Sequence, residues 1–381
     1  MDLNLPSVNE TYRINTQPLS VPQRLLLGPG PSNAHPRVLE ALRTPLVGHL
    51  DSAFLGIMNE VQDLLRYVWQ TSNLLTVPIS GTGSAAMEAT LANAIETGDK
   101  VVVGVNGYFG NRLVDMAGRY GADVVALRKP WGQVFGLEEL EATLSKHRPA
   151  ILALVHAETS TGACQPMEGV GTLCRKYDCL LLLDTVTSLG GVPLFLDEWG
   201  VDLAYSGTQK CLSCPPGLAP FTMNERAIEK LNRRSGKVPN WYLDMSLVAS
   251  YWGSERTYHH TAPISMNYAL REALRLVAEE GLEARWARHR KNAEKLWKGL
   301  ANLGLSCHVD EAFRLTSLTT VRVPKNVDAK HISQRILREY NIEMPGGLGE
   351  LAGKVWRVGL MGYNSRSENV QTLLNALKNV L

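Results

Sequence analysis

Residues 179–210 read CLLLLDTVTSLGGVPLFLDEWGVDLAYSGTQK, and this stretch decides the architecture. The run LLLL at 180–183 is apolar at every position, so the strand it forms is buried on both faces, as in a parallel sheet covered by helices on either side. The run ends on Asp184. A second short run, LAYS at 203–206, is followed by Gly207-Thr208-Gln209 and Lys210. Open α/β sheets bind ligands beyond the C-terminal ends of their strands, so the stretch delivers a carboxylate and an amine to one ligand-binding edge.

Outward from it, β-rich runs at 74–79, 101–105, 123–127, 150–157 and 218–223 alternate with amphipathic segments. The fold class is therefore α/β, a large domain with a mostly parallel central sheet. Met87, Leu91 and Ile95 recur at helical spacing, with Ser84 available as a cap and Gly98 as a stop. Met266, Leu270, Leu274 and Val277 form a second stripe ending at Gly281, followed by a charged helical stretch at 283–303. Strand-like 315–323, helical 329–340, strand-like 355–360 and a last helix describe a smaller α+β C-terminal domain. The expected divisions are an N-terminal extension at 1–24, a large domain at 25–285 and a small domain at 286–381.

The 381 residues are 45% hydrophobic and 20% charged, which excludes a disordered or fibrous chain. Lys plus Arg number 39 against 37 Asp plus Glu, a net +2 too small to draw in nucleic acid or an anionic membrane. The expected partner is a small molecule. No apolar run reaches the ~18 residues of a membrane span, and the first residues lack the pattern of a signal or organellar presequence, so a cytoplasmic location is expected. Six cysteines are too few for a disulfide scaffold, and Cys211-x-x-Cys214 has no second pair with which to hold a metal.

Ser80-Gly81-Thr82-Gly83-Ser84-Ala85-Ala86 lies between a strand and a helix, where glycines let backbone N–H groups approach an anion and the helix dipole adds positive charge. It reads as a phosphate cradle. Gly81-x-Gly83-x-x-Ala86, with Asp99 downstream, also fits a dinucleotide fingerprint, which keeps a nicotinamide oxidoreductase open. Asp184, desolvated at a strand end, calls for a positive group opposite it unless it merely caps its own turn. Lys210, among small polar and apolar neighbours, can lose solvation and become a nucleophilic amine. A lysine for an aldehyde, a carboxylate for a pyridinium nitrogen and a helix N-terminus for a phosphate together make a pyridoxal 5'-phosphate site.

On these residues the chain resembles the class V, fold-type-I aminotransferases, in particular the alanine:glyoxylate group and its serine-using relatives. The motifs are Leu27-Gly28-Pro29-Gly30-Pro31-Ser32-Asn33, Ser80-Gly81-Thr82-Gly83, Asn106-Gly107-Tyr108-Phe109-Gly110, Glu158-Thr159-Ser160-Thr161-Gly162, Leu183-Asp184-Thr185-Val186-Thr187-Ser188, residues 205–210, Tyr258-His259-His260-Thr261 and Arg357-Val358-Gly359. The resemblance implies that Lys210 captures the cofactor aldehyde and shuttles the proton, and that Asp184 pairs with the ring nitrogen. It places Thr159 on the phenolic oxygen, Val186 and Phe109 on the two ring faces, and Thr82, Gly83, Ser84 and Gln209 around the phosphate. Phe109 stands where some relatives have Trp, and Ser84 where some have His.

By the same resemblance Tyr258 and Thr261 reach the phosphate of a partner subunit, which implies a homodimer with shared sites. Arg357 holds the substrate carboxylate, and Gly48 with Thr159 borders the substrate. The implied reaction is ping-pong transfer of an amino group from L-alanine or L-serine to glyoxylate, a 2-oxo acid. A pyridoxal-phosphate-binding scaffold without turnover is a third reading, which the intact Lys210 opposes. A cysteine desulfurase would need a mobile thiol, whereas Cys211 and Cys214 follow the lysine directly.

Overall fold

The computed structural model describes residues 7–381. Seven strands form the central sheet: β1 (Leu75–Ser80), β2 (Lys100–Val105), β3 (Asp123–Arg128), β4 (Ile151–Val155), β5 (Leu180–Asp184), β6 (Leu203–Tyr205) and β7 (Leu218–Met223). Their spatial order is β1-β7-β6-β5-β4-β2-β3, and only β7 runs antiparallel to its neighbours. Alternate residues of the all-apolar strands enter two separate cores: Leu180 and Leu182 pack with Val101, Val103 and Ile151 on one face, and Leu181 and Leu183 with Val102, Leu152 and Leu154 on the other. This two-sided burial is what the LLLL run required.

The expected strand at 150–157 is shorter than its sequence suggested. β4 stops at Val155, and Ala157–Glu158 leaves to pair antiparallel with Ala163–Cys164. Turning the chain there tucks Glu158 under the sheet edge, fully buried. The helix after β1 spans Gly83–Ala94 and starts one residue before the expected cap: Thr82 occupies the N-cap position with no side-chain cap bond, and Ser84 is inside the first turn. Gly98 lies beyond the end of this helix at φ +92°. The second stripe forms Ile264–Glu280, closed at Gly281, and the charged stretch forms Leu282–Asn302.

The C-terminal unit pairs Leu318–Arg322 antiparallel with Val355–Gly359 and packs Ala329–Tyr340 and Ser367–Val380 around them. Leu25–Leu26 runs parallel to Ile342–Glu343, and Leu27 lies in the core of this unit with Trp356 and Val358. The segment that opens the expected large domain thus sits with the small one. Before it, residues 7–24 hold one short turn, Glu10–Tyr12, and are almost wholly exposed. No helix among the described residues is long and apolar enough to cross a membrane.

Candidate active site

Strand register brings the chemistry together. Asp184 ends β5 and is the cross-strand neighbour of Tyr205, the last residue of β6. Its carboxylate is 2% exposed and accepts two hydrogen bonds, from the Tyr205 hydroxyl at 2.7 Å and from the Val186 backbone N–H at 2.9 Å. Among the described residues no cation lies within 4 Å of it. Burial pushes its pKa up to about 6, against the pull of the two hydrogen bonds. A buried acid with donors but no counter-charge is a receptor for a cationic group.

Lys210 lies in the loop after β6. Ser32 pins that loop, its N–H donating to the Gln209 carbonyl at 2.9 Å and its hydroxyl to the Lys210 carbonyl at 2.8 Å. The lysine Nζ donates to the carbonyl of Pro29. Gly30, at φ +108°, leaves the path open: a Cβ there would meet Lys210 Cδ, Nζ and Cε at 2.5, 2.6 and 2.8 Å. Burial first and the nearby Arg357 charge second lower the lysine to about 8, while Asp184 and Glu158 act the other way. Asp184 ends β5 and Lys210 follows the adjacent β6, so both buried groups stand at the same edge of the sheet.

The glycine turn is built to receive something. The Thr82 hydroxyl makes no cap bond, and a Cβ on Gly83 would find only ordinary contacts at 3.6–3.7 Å, with Ser206, Gly207 and Val186. Gln209 Oε1 is buried without a partner, and Ser84 Oγ accepts a long bond from Arg112 at 3.4 Å. The Thr159 hydroxyl, in a residue 2% exposed, has no hydrogen-bond partner among the described residues. The buried Gln209 Oε1, the hydroxyls of Thr82, Ser84 and Thr159 and the first-turn N–H groups of the helix fit a phosphorylated ligand that brings donors as well as acceptors.

Glu158 is the residue the sequence quoted but gave no role. Its Oε1 accepts from the Ser160 N–H at 3.0 Å and hydroxyl at 2.6 Å, and its Oε2 from the Phe109 N–H at 3.0 Å. Burial raises its pKa while these donors lower it. The carboxylate thereby fixes the start of Tyr108–Arg119 and the Phe109 ring it carries. Gly107 is required for the approach, because a Cβ there would lie 2.3 Å from Glu158 Cγ and Cδ.

Arg357, mid-strand in Val355–Gly359, is 5% exposed. Its Nε donates to the Gly346 carbonyl at 2.9 Å, and the two terminal nitrogens have no partner among the described residues. Burial lowers its pKa to about 10, opposed by Glu158. The free fork is suited to a small carboxylate.

Gly48, Tyr258 and Thr261 are exposed, and no hydrogen bond within the chain joins them to Lys210, Asp184 or Arg357. His49 packs on Tyr258 with ring centroids 5.3 Å apart, so Gly48 belongs to the Tyr258 patch. His260 Nε2 lies 2.7 Å from Ser80 Oγ, which ties that patch to the glycine turn.

The dinucleotide alternative fails on geometry. Asp99 precedes β2, at the edge of the sheet opposite the glycine turn, where it pairs with Lys230 at 2.8 Å and caps the Glu96 N–H at 2.9 Å. Cys211 and Cys214 are buried free thiols, and burial raises the pKa of both. Sequence reading also left Tyr205 and Arg112 without roles; Tyr205 lay inside a quoted motif, while Arg112 follows Phe109 by one helical turn.

The class-V aminotransferase family model matches residues 25–373. The chain is 45% identical over 370 residues to an alanine–glyoxylate aminotransferase of Rattus norvegicus, covering 96% of this chain and 89% of that protein. The crystal structure of an alanine–glyoxylate aminotransferase from Nostoc sp. superposes with a TM-score of 0.97 at 67% identity, covering 98% of this chain and 100% of the other. A ureidoglycine–glyoxylate aminotransferase from Bacillus subtilis superposes with a TM-score of 0.94 at 43% identity, covering 96% and 94%.

Proposed function

Because the chain belongs to the class-V aminotransferases, we propose that it uses pyridoxal 5'-phosphate to move the amino group of L-alanine to glyoxylate, giving pyruvate and glycine, with L-serine as the competing donor. The observation that carries this reading is the shared burial of Asp184 and Lys210 at adjoining loops of one sheet edge, with Arg357 close enough to lower the lysine pKa.

When bound, the cofactor supplies an aldehyde that takes up the amino group and a ring that takes up the electron pair left at the donor Cα. Asp184 would face the ring nitrogen and keep it protonated; Val186 and Phe109 would bound the ring, and Thr159 would donate to its phenolic oxygen. Thr82, Gly83, Ser84 and Gln209 would hold the phosphate. Arg357 holds the donor carboxylate with its two free nitrogens and so fixes the Cα–H bond relative to Lys210. The Lys210 amine removes the Cα proton as general base and, as general acid, would deliver it to the carbon that was the cofactor aldehyde, a role suited to a pKa of about 8. Glyoxylate, with a carboxylate and no side chain, uses the same arginine in the second half of the cycle.

The exposed Tyr258, Thr261 and Gly48 fit a surface shared with a second copy of the chain, so the assembly is read as a homodimer whose partner completes each phosphate site. The test is a pair of half-reactions on purified holoenzyme. L-Alanine alone bleaches the visible cofactor band with release of pyruvate, and glyoxylate alone restores it with release of glycine. An unchanged spectrum with both rejects the proposal, and a panel of amino donors ranks alanine against serine.

A further inference from the structure

The phosphate cradle described above is neutral: Thr82, Gly83, Ser84 and Gln209 contribute hydroxyls, an amide and backbone N–H groups, but no full positive charge. A phosphate monoester carries close to two negative charges near neutral pH, and desolvating them against dipoles alone is costly. Lys210 is committed to the aldehyde, and Arg357 belongs to the substrate carboxylate. One further cation reaches the turn. Arg112, one turn after Phe109 in Tyr108–Arg119, points a guanidinium nitrogen at Ser84 Oγ, 3.4 Å away. Its Cζ lies 4.9 Å from the Phe109 ring centroid and 5.4 Å from that of Tyr108.

Unlike Arg119 on the same helix, which pairs with Asp115 at 3.0 Å, Arg112 has no carboxylate within 4 Å among the described residues. The side chain is thus held by ring stacking and one hydroxyl, with its charge uncompensated beside the empty valences of the cradle.

We infer that Arg112 is a cofactor-positioning residue that supplies the counter-charge of the phosphate through Ser84, and that its stacking on Phe109 locks the ring-binding helix to the phosphate turn. The inference rests on the pyridoxal-phosphate reading and adds to it a residue outside the expected phosphate set.

The test compares binding of pyridoxal phosphate with that of pyridoxal, which lacks only the phosphate, to the cofactor-free protein, followed by protein fluorescence. In Arg112→Gln, affinity for pyridoxal phosphate falls about tenfold or more, the loss of one charge-assisted contact, while affinity for pyridoxal changes less than about twofold. Arg112→Lys keeps the charge, sheds the planar stacking and recovers most of the preference for the phosphorylated form. Equal losses for both ligands in Arg112→Gln overturn the inference, since they show a packing role alone. Should Arg112→Gln not fold, the lysine variant decides: a preference reduced tenfold there also overturns it. A wild-type protein that binds neither ligand rejects the cofactor reading itself, and this inference with it.

Discussion

The Tyr205 hydroxyl donates to Asp184 Oδ2 at 2.7 Å, across adjacent strands and with both side chains buried. The bond stabilises the ionised carboxylate that burial disfavours, so Tyr205 sets the charge state of Asp184. Tyr205→Phe removes the donor and leaves the packing almost unchanged. The expected outcome is a kcat lowered about tenfold and an acid limb of the pH–rate profile displaced to higher pH, with KM for alanine little altered. An unmoved acid limb refutes this role.

Asp184 also makes the cofactor-free fold pH-dependent. Its pKa is raised from 3.8 when unfolded to about 6 when folded. Below the lower value both states hold the proton; between the two the unfolded chain releases it first, so stability declines as pH rises through that window and levels off above it. The full effect is about 3 kcal/mol, less whatever water enters the site. Chemical denaturation of the cofactor-free protein at pH 4 to 7 should show this decline, and Asp184→Asn should abolish it while eliminating transamination.

Lys210 sets a second titration. An amine lowered to about 8 is mostly protonated at pH 7, so capture of added cofactor by the cofactor-free enzyme should accelerate with pH and reach a plateau above about 9. Stopped-flow absorbance reads the rate directly. Lys210→Ala should lose transamination by several orders of magnitude.

As the proposed carboxylate holder, Arg357 would select by shape as well as charge. Arg357→Ala should raise KM for both alanine and glyoxylate by about 100-fold, and Arg357→Lys should recover little, because an ammonium cannot reproduce the two-pronged contact while bonding Gly346. Steady-state kinetics in both substrates check this, and a change confined to one of them counts against a common carboxylate site.

Shared sites can be checked by complementation. Lys210→Ala and Tyr258→Ala chains, each nearly inactive alone, should regain up to about a quarter of wild-type activity when co-refolded in equal amounts, since half the dimers are mixed and each of these has one intact site. No recovery refutes the shared arrangement.

The parts of the fold legible in the sequence were those governed by local rules. All-apolar runs marked the central strands, and the strand-end positions of Asp184 and Lys210 followed from them. What stayed hidden depended on tertiary approach. Glu158 stood just past what looked like an unbroken strand at 150–157, and its role appeared only once the chain turned at His156 and carried it beneath the N-terminus of Tyr108–Arg119. Ser84 was a plausible cap by composition, but the helix began at Gly83 and left its hydroxyl to Arg112. Pro29 and Lys210 are joined by a contact that no periodicity encodes.

The pairing of Leu25–Leu26 with Ile342–Glu343 has a consequence for biosynthesis. The ribosome delivers the first of these segments more than three hundred residues before the second, so the early β-partner stays unmatched until the later one emerges. A nascent polypeptide therefore holds every strand of its central sheet, the last ending at Met223, while its first β-partner is still waiting.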